Sequence, residues 1–246
     1  MKITFLGTSH GLSEKDRYRT SIMVEVKEKL YIIDGGAPVY DLLVRRGKNL
    51  TDITAVFATH AHGDHVLGLL PLLEVSSWSD KNVSYDVYLT DQKLKDAFVN
   101  TLEITTDLPF DLNRLRLTVY DENTIYDDGD VKVSFDKNYH YLDGKPSYTI
   151  TFTADGKTVV FSGDVSSRLS KGDFPKLPMD KPAEMLVMEL AHLTFEDAVT
   201  YLQNANVKKV CFNHVFRKSN FDSIENNKNN FPFEVYAVND NDEFII

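Results

Sequence analysis

Three of the chain's seven histidines fall within the six residues His60-Ala61-His62-Gly63-Asp64-His65. Neutral imidazole and carboxylate are ligand types for Zn²⁺ and similar borderline cations, so this cluster points to metal binding. In an extended chain the alternation His60-Ala61-His62 puts both rings on one side. Gly63 then lets the chain turn, so that Asp64 and His65 can face a second ion. Four residues cannot fill two coordination shells and leave room for water, so other segments must contribute. His140 closes the run 131–139, Asp164 follows Phe161-Ser162-Gly163, and His214 follows Val210-Cys211-Phe212-Asn213. Singly, each has a plainer reading, as a surface His, a turn Asp or a capping His. Their shared place past strand-like runs, beside the first cluster, makes them candidates for one site.

The elements that must position these groups are legible as periodic runs. Ile3–Leu6, Ile22–Val26 and Leu30–Ile33 read as strands, the last ending at the turn Asp34-Gly35-Gly36. Pro38–Arg45 suits a short helix with proline in its first turn. Ile53–Phe57 is an apolar strand that runs into the histidine cluster, and Val66–Leu73 is a buried helix candidate. Tyr85–Leu89 predicts a strand and Asp91–Glu103 a helix, with Leu94, Phe98 and Leu102 four residues apart. Leu115–Tyr120, Val131–Phe135, Tyr148–Phe152 and Thr158–Phe161 predict strands, the last two joined by a hairpin turn at Asp155-Gly156. Thr194 can cap a helix carrying Glu196 and Asp197 in its first turn, with Phe195, Val199 and Leu202 facing the core. Lys209–Phe212 is a strand that again ends near a histidine. Asn226–Asn230 reads as a surface loop, and Trp78 as part of the core. Sheets covered by helices, with functional residues on loops past strand ends, are the architecture this order implies.

The chain has 246 residues, of which 42% are hydrophobic and 26% charged, an ordinary globular mixture. No Pro/Gly/Ser-rich linker divides it, which predicts one domain over residues 1–246. A single cysteine, Cys211, excludes a disulfide framework and a multi-cysteine zinc site. No run reaches the ~18 apolar residues of a membrane span. The opening Met1–Gly7 lacks a signal peptide's apolar region, so the expected location is the cytoplasm. With 27 Lys and Arg against 37 Asp and Glu, the formal charge is −10. Proteins that bind nucleic acid by neutralising phosphates usually carry the opposite sign, so RNA is disfavoured as a partner, though bound metals could still attract an anion.

His60-Ala61-His62-Gly63-Asp64-His65 resembles the metal-binding signature of the metallo-β-lactamase superfamily. Phe5-Leu6-Gly7-Thr8, Ile33-Asp34-Gly35-Gly36, His140, Ser162-Gly163-Asp164 and His214 follow in that family's order, over residues 1 to about 217. The resemblance implies an α+β or α/β chain folded as a four-layer αβ/βα sandwich, with two mixed sheets face to face, helices outside and metals at one edge. It implies two divalent ions, Zn²⁺ with Mn²⁺ or Fe²⁺ as alternatives. His60, His62 and His140 would hold one, Asp64, His65 and His214 the other, and Asp164 would bridge them. Asp34 would accept a proton from a ligand imidazole and fix its tautomer. The pair of ions would share a hydroxide that attacks phosphorus in line.

Met188-Glu189-Leu190-Ala191-His192-Leu193-Thr194 is similar to the branch that includes tRNA 3′-processing endonucleases and cyclic-nucleotide phosphodiesterases. There His192 would assist the leaving oxygen, oriented by Glu189, with Asp64 counted among both the metal-binding and the catalytic residues. Two features depart from the processing enzymes. Their long tRNA-clamping arm has no room in the 23 residues between His140 and Asp164, and Asn213-His214-Val215-Phe216-Arg217 replaces the usual surround of the last ligand. The resulting expectation is a phosphodiesterase acting on a small or nucleotide phosphodiester. The alternatives are a tRNA 3′-processing endoribonuclease, a lactone or thioester hydrolase using the same metals, and a metal-free nucleic-acid-binding protein. A diiron redox role would need a flavin partner. His10 and Arg217, with Arg17 and Arg19 of similar standing, are candidate substrate contacts, and dimerisation is common in the resembled branch.

Overall fold

Side-chain alternation along the strands decides the layering. The computed structural model describes residues 1–107, 109–141, 143–165 and 182–246. One sheet holds β1 (Lys2–Gly7), β2 (Ser21–Val26), β3 (Lys29–Gly35), β4 (Ile53–Phe57), β5 (Tyr85–Leu89) and β6 (Leu115–Val119) in chain order, with β14 (Glu243–Ile245) beside β1. The other runs from β7 (Ile125–Asp127) through β8 (Val131–Lys137), β9 (Tyr148–Ala154), β10 (Lys157–Phe161) and β11 (Ala183–Leu190) to β12 (Val207–Val215) and β13 (Glu234–Ala237). Each sheet is antiparallel at one end and parallel at the other, β3 to β6 and β10 to β13 forming the parallel parts.

Ile22, Val24, Tyr31, Ile33 and Phe57 turn inward to meet Phe135, Ile150, Phe152, Phe161 and Val187 of the opposite sheet. Their neighbours Met23, Ile32 and Val56 face outward onto α1 (Val39–Arg45), α3 (Leu69–Trp78) and α4 (Gln92–Thr105), through Leu42, Leu43, Leu72, Leu73, Phe98 and Leu102. On the far side Val160, Leu186, Val210 and Phe212 pack on α5 (Phe195–Leu202) and α6 (Lys218–Asn227). The result is the expected αβ/βα sandwich. Each fully buried large apolar side chain contributes about 1.5–3 kcal/mol, so the three apolar layers lock the sheet faces against a one-residue slip of register.

Local signals account for several boundaries. Asp91 accepts the Leu94 amide at 2.9 Å and starts α4. Thr194 and Asp197 form a reciprocal capping box at the start of α5. Asp155 and Gly156 both have positive φ, as a tight hairpin between β9 and β10 requires.

Three expectations need correction, and one strand was not foreseen. The single helix over Val66–Leu73 is two segments, α2 (Gly63–Val66) and α3. Between them a Cβ on Gly68 would lie 1.8 Å from the Ala37 carbonyl oxygen, so the chain must pass there as glycine. Trp78 ends α3 and is 62% exposed rather than in the core. Asn226 and Asn227 belong to α6, so the loop begins later. β11, the strand between β10 and β12, has no counterpart among the periodic runs. Among the described residues no helix is long and apolar enough to cross a membrane.

Candidate metal centre

The strands β1, β3, β4, β8, β10, β11 and β12 point the same way within their sheets, and the loops past their carboxyl ends share one edge of the sandwich. Ligands of open α/β sheets bind at that end. Every residue expected to bind metal is found there. His60, His62, His140 and Asp164 form one group whose donor atoms lie within 4.8 Å of one another, and Asp64, His65 and His214 form a second. Asp164 faces both, 3.3 Å from His65 Nε2 and 3.4 Å from His214 Nε2 through one or other oxygen. Its Oδ2 is 3.7 Å from His60 Nε2.

Hydrogen bonds on the outer side of the rings set their tautomers. His214 Nδ1 lies 2.9 Å from the Ser9 carbonyl, which only accepts, so this nitrogen carries the proton and Nε2 presents a lone pair. His65 Nδ1 meets Asp34 at 2.8 Å and donates its proton there. The Thr59 hydroxyl donates to Asp34 and therefore accepts from His60 Nδ1, 3.0 Å away. Asp34 thus orients one imidazole in each group. It does so from a left-handed backbone, φ 58°, and His214 holds φ 55°, an uncommon conformation for either residue.

Inside the site, ring nitrogens crowd together. His62 Nδ1 stands 3.1 Å from His60 Nε2 and 3.0 Å from His140 Nε2. His65 Nε2 and Asp164 Oδ1, both buried, have only each other within reach, 3.3 Å apart. Burial alone would lower the pKa of His65, but Asp164 and Asp34 outweigh it and hold it well above the ordinary value. Burial alone would raise that of Asp164, yet His214 and His65 hold it well below. Burial keeps His60 neutral, its pKa well below the usual histidine range. Nitrogen and oxygen donors converge on positions that call for positive charge, and this donor set fits a divalent cation in each group.

His192 and Glu189 complete the edge. Glu189 is 3% exposed and accepts the amides of Val165, Ala191 and His192 at 2.7–2.9 Å. Its Oε1 lies 3.1 Å from His192 Nδ1. Burial would lower the His192 pKa, but the Glu189 bond and charge, with Asp164, lift it to about 9. With Nδ1 taken by Glu189, Nε2 is the nitrogen available to a ligand.

A cleft of about 320 Å³ opens over the cluster, lined by His62, Asp64, Asp164, His192 and His214 on the ionic side and by His10, Leu12 and Phe216 beyond them. His10 is thus at the cleft, as expected of a substrate contact. The arginines are not. Arg217 is exposed at the N-cap of α6, outside that lining. Arg17 is tied to the carbonyls of Thr8 and Val215 at 3.2 and 2.8 Å. Arg19 pairs with Ser9 as a β-bridge and packs its Cβ near Gly36. Tyr141, which the sequence did not single out, walls the first group, its ring centroid 4.7 Å from that of His62 and its hydroxyl accepting the Ala61 amide. Only its place beside His140 could have marked it.

Fold and edge together define a metallo-β-lactamase-fold protein. The metallo-β-lactamase fold protein YhfI from Bacillus subtilis superimposes with a TM-score of 0.77 at 17% identity, over 99% of each chain. Human tRNase Z, short form, superimposes with the same score at 22% identity, over 100% of this chain and 99% of that one. Within this fold, residues 1–218 match the family described as Anti-Pycsar protein Apyc1, and the chain belongs to that family. Ribonuclease Z from Methanothermobacter thermautotrophicus is 31% identical over 88 residues, 36% of this chain and 29% of the relative. The chain spans less than half the length of this and the other curated relatives it matches.

Proposed function

We propose that this protein is a binuclear metal-dependent phosphodiesterase acting on a small or nucleotide phosphodiester. The observation that carries the reading is the placing of an oriented imidazole beside two cation-seeking groups: His192 stands 3.7 Å from Asp164 and is held by Glu189. When bound, two divalent ions, Zn²⁺ first among Zn²⁺, Mn²⁺ and Fe²⁺, supply charge neutralisation for phosphoryl oxygens and acidify water to near neutral pH. His60, His62, His140 and Asp164 would hold one, and Asp64, His65, His214 and Asp164 the other. Asp34 orients two of those imidazoles, His65 directly and His60 through Thr59. As the phosphorus–oxygen bond breaks, His192 gives its Nε2 proton to the departing oxygen, and Glu189 keeps the ring aimed. The cleft excludes part of the surrounding water and, at about 320 Å³, lies at the lower end of the ~300–1,000 Å³ of small-molecule sites.

The family description names an action against Pycsar; on this reading its chemical target is a phosphodiester. The likeness to proteins named Ribonuclease Z favours a second reading, tRNA 3′ processing. The −10 charge weighs against it, as does a 141–163 interval filled mainly by β9 and β10 rather than by an arm. Cytoplasmic placement and a single functional domain belong to the same proposal. Metal-loaded protein assayed on bis(p-nitrophenyl) phosphate, a lactone, a thioester and a precursor tRNA separates the readings. Turnover of the small phosphodiester is expected, and turnover of the carbonyl substrates or the tRNA alone would overturn the proposal.

A further inference from the structure

Asn220 is 2% exposed within α6, an unusual place for an amide side chain, since a leucine would fill it without needing partners. Its side-chain hydrogen bonds all go to one stretch of chain. Nδ2 donates to the carbonyls of Leu190 at 2.9 Å and Leu193 at 3.0 Å, and Oδ1 accepts the amide of Phe195 at 3.0 Å. Phe195 opens α5, so its amide is one of the donors that a helix start leaves without an intrahelical partner. Between these contacts lies the turn that carries His192.

Residues 191–194 belong to neither strand nor helix, and two side chains grip them from opposite sides. On the side of the metal cluster, Glu189 accepts the amides of Ala191 and His192 at 2.7 and 2.9 Å. On the helix side, Asn220 holds the backbone at 190, 193 and 195. Leu190, Leu193 and Phe195 are buried in one apolar cluster with Val215 and Ile224. α6 comes next after β12, the strand that ends in His214 and Val215. The turn with His192 is therefore tied to the same piece of chain that presents His214 to the second group. Glu189 aims the ring, and Asn220 sets the place from which the ring is aimed. A shift of one ångström in such a group lowers a rate by up to about 100-fold.

We propose that Asn220 is a positioning residue for His192, holding the turn 190–195 so that the imidazole stands over the departing oxygen. For the reaction it serves, this role rests on the phosphodiesterase reading. Asn220 acts through backbone groups alone, so its loss is felt where the proton of His192 is needed. A nitrophenolate departs with little help from an acid, whereas the more basic phenolate needs the proton.

The test compares metal-loaded Asn220→Ala with the native protein on diphenyl phosphate and bis(p-nitrophenyl) phosphate. Turnover of the diphenyl ester should fall about 10–100-fold in kcat, and that of the nitrophenyl ester less than about 3-fold, with the metal content unchanged. On a His192→Ala background the same substitution should lower turnover no further, because the group it positions is gone. Equal losses on both esters, or losses that multiply in the double variant, would overturn the proposal. Amide exchange needs neither metal nor turnover. In Asn220→Ala, exchange at Ala191 and His192 should quicken at least about 10-fold while that of β8 and β9 stays as in the native protein. Unchanged exchange at the turn, or a uniform rise throughout the chain, would overturn the positioning role. If the native protein cleaves neither ester, the phosphodiesterase reading falls, and a rise confined to the turn still supports the positioning of His192. Should Asn220→Ala fail to fold, Asn220→Ser must show the same pattern. In the native protein itself, the Phe195 amide should exchange at least about 100-fold more slowly than in a free chain, and unprotected exchange there would overturn the grip of Asn220.

Discussion

Asp34 and His65 are joined by a 2.8 Å hydrogen bond between two residues that are almost wholly buried. The carboxylate lies at the end of β3 and the imidazole in α2, 31 residues later. Through Thr59 the same carboxylate also sets His60. Replacing it should release both metal groups at once. Asp34→Ala is expected to weaken metal affinity about 10–100-fold, measured by competition with a chromogenic chelator. Affinity equal to that of the native protein would show that the rings need no such support.

His192 touches Glu189 and borders the cluster, yet the account gives it no metal to hold. His192→Ala should keep its metal content and lose roughly 10²–10⁴-fold in turnover of a small phosphodiester. Loss of an ion in that variant, seen by elemental analysis, would mean that the ligand set has been drawn wrongly.

Gly36 sits where no side chain fits: a Cβ there would lie 1.6 Å from the Asp64 carbonyl oxygen, a backbone atom that cannot give way alone. Gly36→Ala should push the start of α2 outward and displace Asp64 and His65. The expected result is loss of metal from the second group with the first retained, read as a drop from two ions per chain to one. A variant with both ions and native turnover would contradict the placement of Asp64.

Far from the cleft, Asp128 accepts the hydroxyls of Tyr31 at 2.6 Å and Tyr126 at 3.0 Å, the amides of Asp130 and Val131, and an ion pair with Lys29. Burial would raise its pKa, but these donors bring it down to about 2. A carboxylate whose pKa is lower when folded stabilises the fold above its unfolded value, near 4, and loses that contribution as pH falls toward 2. Asp128→Asn should therefore be less stable than the native protein at pH 7 by about 1–2 kcal/mol. Urea titrations should show the gap closing between pH 4 and pH 2. A gap independent of pH would remove the ionised carboxylate from the explanation.

How far the sequence reached depended on whether a feature was local. His60–His65 announced themselves because six consecutive residues carry the signal, and Thr194 because a capping box spans four. β11 escaped because Ala183-Glu-Met-Leu-Val-Met-Glu-Leu190 is buried on both faces: a parallel central strand shows a nearly continuous apolar run, and its Met, Leu and Glu residues suit a helix equally well. β7, β13 and β14 are three or four residues long, too short for a period to appear. The break at Gly68 is dictated by Ala37, thirty-one residues earlier, and the exposure of Trp78 by where α3 happens to end. At the site, residue types identified the donors, but which nitrogen each imidazole turns inward depends on Ser9, Asp34 and Thr59, contacts that only the folded chain creates.

Two cation-binding groups sharing Asp164 are the centre of the account, and the metal content of the protein tests them most directly. Protein equilibrated with excess Zn²⁺ or Mn²⁺ and then desalted should carry two ions per chain, and a crystal of it should show two anomalous peaks, one bounded by His60, His62 and His140 and one by Asp64, His65 and His214. Fewer than one ion per chain under those conditions, or a single peak away from these side chains, would contradict it.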